Sequence, residues 1–233
     1  MTNKPTSNTA FTSAADTRSD TAGLIVDVQL GCVAHMNAED CDNYLSSLGK
    51  QIEDLRTRTP PVPVVWATVD NPENTKFHPP IGTSDTIRSP ADFTAMGFYA
   101  ISPEAKLEDY PNKDAFDKFI NKHGPRENEA GFTKPAFNAF GTSEKDRLDA
   151  EISEEVMPHI NAEHEKFVDH LKSTGVKNVS IFGAVGSVCC LESAIGAEQK
   201  GFKPSLMLDG IACWRSTALG SLLVWRNGFE SPN

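Results

Sequence analysis

Apolar positions along this chain cluster into short runs separated by long polar stretches. "GLIVDVQL", Gly23 to Leu30, is a continuous apolar run broken by Asp27, the pattern of a buried strand. In "NAEDCDNYLSSLGKQIEDLRTR", the positions Cys41, Tyr44, Leu48, Ile52 and Leu55 recur at helical spacing, and Asn37 stands where an N-cap belongs. "TPPVPVVWATVD" is a second apolar strand that follows a proline stop and ends at Asp70. Strand, helix and strand of matching character make a βαβ unit, so the pattern predicts a parallel sheet covered by helices.

Residues 71–128 are rich in Pro, Asn, Asp and Gly, with one helical stretch at Lys113 to His123. A structureless loop of that length is unusual inside a compact domain, so the segment reads as an insertion with some structure of its own, placed to cover a site. "EAGFTKPAFNAFG", Glu129 to Gly141, predicts a third strand ending near Lys134. The run from Thr142 to Gly175 predicts helix in two pieces, with Pro158 as the interruption. "VKNVSIFG" and "KPSLMLDG" predict strands four and five, with a helix over 188–200 between them and a last short helix at Ser216 to Trp225. The fold class expected is α/β: a three-layer α/β/α sandwich on a mainly parallel, Rossmann-like sheet. Residues 1–21 read as a polar flexible tail and 22–233 as one domain carrying the insertion.

Charge and composition narrow the function classes. A formal net charge of −10 disfavours nucleic acid and anionic membrane as partners. No run reaches the roughly 18 apolar residues that a membrane span needs, and the N-terminal stretch has no apolar core of a secretory signal. Five cysteines, an odd number without a C-x-x-C pair, point to free thiols in a reducing cytoplasm rather than to a disulfide framework or a structural zinc. A small-molecule substrate is the partner expected.

The chemistry-bearing residues fall at predicted strand ends, where parallel α/β sheets bind ligands. They are Asp27, Asp70, Lys134 and the turn Gly183 to Cys190. A thiol at a helix N-terminus with a carboxylate to take its proton can act as a nucleophile, and a lysine and turn amides can hold a developing oxyanion. Taken singly, each residue has an ordinary explanation: a small core cysteine, a turn aspartate, a solvated surface lysine. The remaining histidines, His35, His123, His159, His164 and His170, read as surface residues. Trp66 and Trp214 read as core or pocket wall.

Three segments together resemble the isochorismatase-like cysteine hydrolases, the superfamily of nicotinamidases and N-carbamoylsarcosine amidases. "LIVDVQ" resembles the family's first strand, "TKPAFNAF" its lysine segment with Phe137 and Phe140 behind, and "FGAVGSVCCLESA" its nucleophile turn, all in family order. "GFKPSLMLDGIA" resembles the following strand with its Asp, here Asp209. The likeness covers about residues 22–212. It implies a catalytic set of Asp27, Lys134 and Cys189, with Cys190 pointing into the core. It also implies a cis peptide at Ala184–Val185 and an oxyanion site from the N–H groups of Val185 and Cys189. The activity implied is hydrolysis of a small amide or carbamoyl C–N bond through a thioester, releasing ammonia. Isochorismatase-type hydrolysis of a vinyl ether and a catalytically silent binding protein of the same fold are the alternatives.

The chain departs from the family pattern in several places. Gly186 stands where Thr is common, and Gly31 where nicotinamidases have a metal-binding Asp; Pro72 replaces a metal-binding His. Asp70 and His78 alone make a poor donor set, so no metal and no cofactor are expected. Lys134 and Cys189 are 55 residues apart, longer than the family pattern, with the helix around Glu151 to His164 as the cause. The sheet edge after the fifth strand is a candidate for homo-oligomer contact.

Overall fold

The computed structural model describes residues 19–69, 97–99, 106–134, 137–149 and 152–213. The calls on the N-terminal tail up to residue 18, on Asp70, Pro72 and His78, on Trp214 and on the C-terminal helix lie outside them, whereas Thr21, expected as the last tail residue, is the first residue of the sheet. Among the described residues five parallel strands form one sheet: β1 Thr21–Val26, β2 Val64–Val69, β3 Ala130–Lys134, β4 Asn178–Ala184 and β5 Lys203–Ala212, in the order β3-β2-β1-β4-β5. Helices α1 Leu30–Val33, α2 Ala38–Thr57 and α3 Lys113–His123 are followed by α4 Glu144–Asp149, α5 Met157–Ser173 and α6 Leu191–Gln199.

Alternate strand residues feed two apolar cores, one on each face of the sheet, as the period of a strand requires. Ile25, Val64, Trp66 and Phe182 face Cys41, Tyr44, Leu48, Ile52 and Leu55 of α2 and Phe116, Phe119 and Ile120 of α3. Leu24, Val26, Val65, Phe132 and Ile181 share the other core with Phe167, Val168 and Leu171 of α5 and Ala194 and Ala197 of α6. The five helical positions on α2 picked out by spacing are all buried. Asn37 caps that helix, its side chain accepting from the Asp40 backbone N–H at 2.9 Å. The three-layer α/β sandwich expected from the pattern is the architecture found.

Two boundaries differ from expectation. The helical region after Lys134 does divide, but Pro158 is the second residue of α5 rather than the break. In a first turn the missing proline N–H has no intrahelical acceptor to lose, so Pro158 fits the start of a helix. β5 continues to Ala212, past Gly210, through a register irregularity between Ile181 and Gly183 of β4.

Chain order runs outward from β1 to β3 on one side, then starts again beside β1 with β4. The carboxyl ends of β1 and β4 therefore flank the topological switch point, where open α/β sheets form their ligand crevice.

Candidate active site

Asp27 is the first residue beyond β1 and leaves the strand in a left-handed conformation, φ 47°. That conformation is uncommon for a residue with a Cβ and turns the chain sharply at the sheet edge. Opposite it, Gly183 pairs with Val26 at the end of β4. A Cβ there would lie 1.8 Å from the Val26 carbonyl oxygen, so only glycine lets β4 approach β1 this closely. The chain then passes through a cis Ala184–Val185 peptide into a π-helical turn, Gly186–Cys190, that leads directly into α6.

Lys134 comes from β3, which is not a neighbour of β1: β2 lies between them. Its side chain crosses the end of β2 and donates to Asp27 Oδ2 at 2.7 Å. Both residues are wholly buried. Asp27 Oδ1 has no hydrogen-bond partner of ordinary geometry. Burial pushes the Asp27 pKa above the usual carboxylate range, although the Lys134 ammonium and the Cys189 thiol pull it back. Burial opposes the charge on Lys134, but Asp27 and Cys189 outweigh it and raise its pKa.

Cys189 is the third member of the cluster and is 7% exposed. Burial and then the Asp27 charge push its pKa up; Lys134 and the Val185 backbone N–H act the other way. A helix N-terminus was expected to lower this value, but Cys189 stands inside a π turn with a carboxylate beside it. Burial thus outweighs the neighbouring Lys134 ammonium at this sulfur. Cys190 is fully buried, with its thiol directed at the Phe182 carbonyl at 3.8 Å. The paired cysteines thus point to different surroundings, one to the ion pair and one to the core.

Several residues near the site were not legible as such. Cys32 on α1 is half-buried, and burial and the Asp27 charge push its pKa up to about 12. His164 was expected at the surface and is instead 1% exposed. Its Nδ1 donates to the Ala139 carbonyl at 3.0 Å, which leaves Nε2 to accept from the Thr142 hydroxyl at 3.0 Å. The Ala139 N–H donates to Ser193 Oγ at 3.1 Å. These bonds tie the segment after Lys134 to α5 and α6. Burial lowers the His164 pKa to about 4. Its position at helical spacing with Ile160, Phe167, Val168 and Leu171 was the available signal. Asp209 has an exposed side chain, and its backbone carbonyl accepts from Ser47 at 2.7 Å.

Among the described residues, no group of three or more His, Cys, Asp or Glu side chains could hold a metal ion. Gly31 also offers no donor where the resemblance puts a carboxylate, so the described residues do not fit a nicotinamidase-type metal site.

The family model for the Isochorismatase domain matches residues 21–218. The chain belongs to the isochorismatase family. Comparison with curated proteins by sequence gives no match. Among solved structures, an isochorismatase-like hydrolase from Alkaliphilus metalliredigens is similar over 91% of this chain and 92% of that one, with TM-score 0.52 and 15% identity. A pyrazinamidase/nicotinamidase from Streptococcus mutans is similar over 90% and 96%, with TM-score 0.54 and 14% identity. At such identities the likeness is one of fold. No helix among the described residues is long and apolar enough to cross a membrane.

Proposed function

We propose that this family member is a cysteine hydrolase that cleaves the C–N bond of a small amide or carbamoyl compound and releases ammonia. The observation that carries the reading is the buried Asp27–Lys134 pair, 2.7 Å apart, sharing its surroundings with the Cys189 thiol. Asp27 takes the thiol proton as the sulfur attacks the carbonyl carbon. Lys134 and the backbone N–H groups of Val185 and Cys189 steady the oxyanion. When the tetrahedral adduct collapses, Asp27 returns the proton to the leaving nitrogen, and ammonia departs. A water molecule, deprotonated by Asp27, then attacks the thioester carbonyl. The products are the acid and the regenerated thiol. No step uses a metal or a cofactor, and five free thiols fit a cytoplasmic setting.

A raised Asp27 pKa also suits a general acid, and this favours a second reading, hydrolysis of isochorismate by protonation of its vinyl ether. That reaction needs Asp27 and Lys134 but no sulfur nucleophile. Ammonia release from a panel of small amides and carbamoyl compounds, together with isochorismate turnover, separates the two. Wild type is compared with Cys189→Ala. Ammonia release that vanishes in the variant supports the first reading. Isochorismate turnover that survives in the variant supports the second. A folded protein inert toward every compound defeats both and leaves a binding protein of this fold.

A further inference from the structure

The Asp27–Lys134 pair has to span two strand spacings, roughly 9–10 Å of sheet, because β2 lies between the strands that carry it. The end of β2 is therefore the spacer of the pair. Its last residue, Val69, is in register with Lys134 on β3. On the β1 side it has no strand residue to bond, since β1 pairs only as far as Val26 with Ala67 and the chain turns away at Asp27.

The side chain of Gln29 fills that gap. Its Nε2 donates to the Val69 carbonyl at 3.0 Å and to the Gly97 carbonyl at 2.7 Å, and its Oε1 accepts from the Val69 N–H at 3.2 Å. A carboxamide has the donor and acceptor of a peptide group, so Gln29 continues the ladder that β1 abandons. The residue is 2% exposed. The Val69 N–H is also among the groups that lower the Asp27 pKa.

The same carboxamide ties down a strap, Gly97 to Tyr99. The Leu30 N–H donates to the Phe98 carbonyl at 2.8 Å, and the buried Phe98 ring meets Trp66 edge-on at 5.7 Å. Gly97 has φ 78°, and a Cβ there would stand 3.1 Å from the Val69 carbonyl oxygen. The backbone of the strap thus lies directly on the end of β2.

We propose that Gln29 is a positioning residue for the Asp27–Lys134 pair: its carboxamide locks the end of β2 between the two strands that the pair bridges. The inference rests on the reading of that pair as the proton-handling part of a hydrolase. Removing the carboxamide orphans both polar groups of Val69, frees the spacer and weakens the hold of Lys134 on Asp27.

The test compares wild type with Gln29→Leu, Gln29→Asn and Glu129→Gln, the last disturbing the opposite end of β3. The Asp27 carboxyl is titrated by carbon-13 NMR, and circular dichroism verifies the fold. Gln29→Leu should raise the Asp27 midpoint by about half a unit or more, because a cation and an N–H donor draw back from it. Gln29→Asn, which keeps the amide but is too short, should shift it the same way and stands in if the leucine variant does not fold. Glu129→Gln should leave the midpoint in place while lowering thermal stability. An unmoved or lowered midpoint in the Gln29 variants, or an equal rise in Glu129→Gln, overturns the inference. Ammonia release by wild type and Cys189→Ala reads the hydrolase proposal separately: release that is unchanged in the variant would count against the nucleophile, while the Asp27 midpoint still decides the role of Gln29.

Discussion

The two ends of strand β3 carry two buried ion pairs of opposite design. Just before its first residue, Glu129 accepts four hydrogen bonds: Oε1 accepts from Arg56 Nε at 2.7 Å, and Oε2 accepts from Arg56 at 2.8 Å, Trp66 Nε1 at 2.9 Å and the Arg126 N–H at 3.1 Å. Arg56 also donates to the Gly124 carbonyl and to Glu53. At the other end, Lys134 meets Asp27 through one oxygen, and the second has no ordinary partner. Both pairs are out of water, so both carboxylates lose hydration. Only the first recovers it fully within the protein. A carboxylate with both oxygens hydrogen-bonded holds structure; one with an oxygen left short, beside a thiol, has capacity for a proton. That contrast separates a fully bonded carboxylate from an under-bonded one at the two ends of a single short strand.

The sharpest break of the contrast is at the sulfur. Cys189→Ala is expected to reduce ammonia release on a responsive substrate by at least about 10³-fold, some 4 kcal/mol of transition-state stabilisation, with the melting temperature little changed. Loss of folding instead of loss of turnover would make Cys189 a core residue. Glu129→Ala should do the reverse. It leaves Arg56 and Trp66 without their acceptor and should cost about 3–5 kcal/mol in denaturant unfolding, while Cys189 labelling in the remaining folded protein keeps its wild-type rate.

The acid response sharpens the site end further. His164 is buried neutral, with its pKa lowered to about 4 from an ordinary 6.5. Its contribution to stability is complete above pH 6.5 and is lost as pH falls from there to about 4, because the unfolded chain binds the proton first. Over that window the loss should approach about 3 kcal/mol. His164→Gln should flatten this part of the stability profile, measured by urea midpoints from pH 7 to pH 4; an unchanged slope would assign the acid sensitivity to other groups. The smallest effect belongs to Trp66→Phe. It removes one of several donors to Glu129 and should cost about 1 kcal/mol, with thiol labelling unaffected.

Much of this architecture follows from local pattern. Period-two and period-3.6 burial, the Asn37 cap and the apolar runs specified strands, helices and their order, because each expresses a preference of a few neighbouring residues. The helix Lys113–His123 emerges from an otherwise unpatterned insertion for the same reason. The placement of Asp27 and Lys134 at strand ends, and of Cys189 in the turn after β4, was legible too. Tertiary structure alone decided how these segments meet. The strand order sets Lys134 two strands from Asp27, so their contact depends on the width of β2 and on side chains that cross it. Burial, which reverses the expected direction of the Cys189 pKa and draws His164 into the core, is a property of what packs above a residue. So is the grip of Gln29 on Val69, a bond across 40 positions of sequence. Local sequence encodes conformation because neighbours share a backbone; desolvation and cross-strand bonding arise only when distant segments exclude water together.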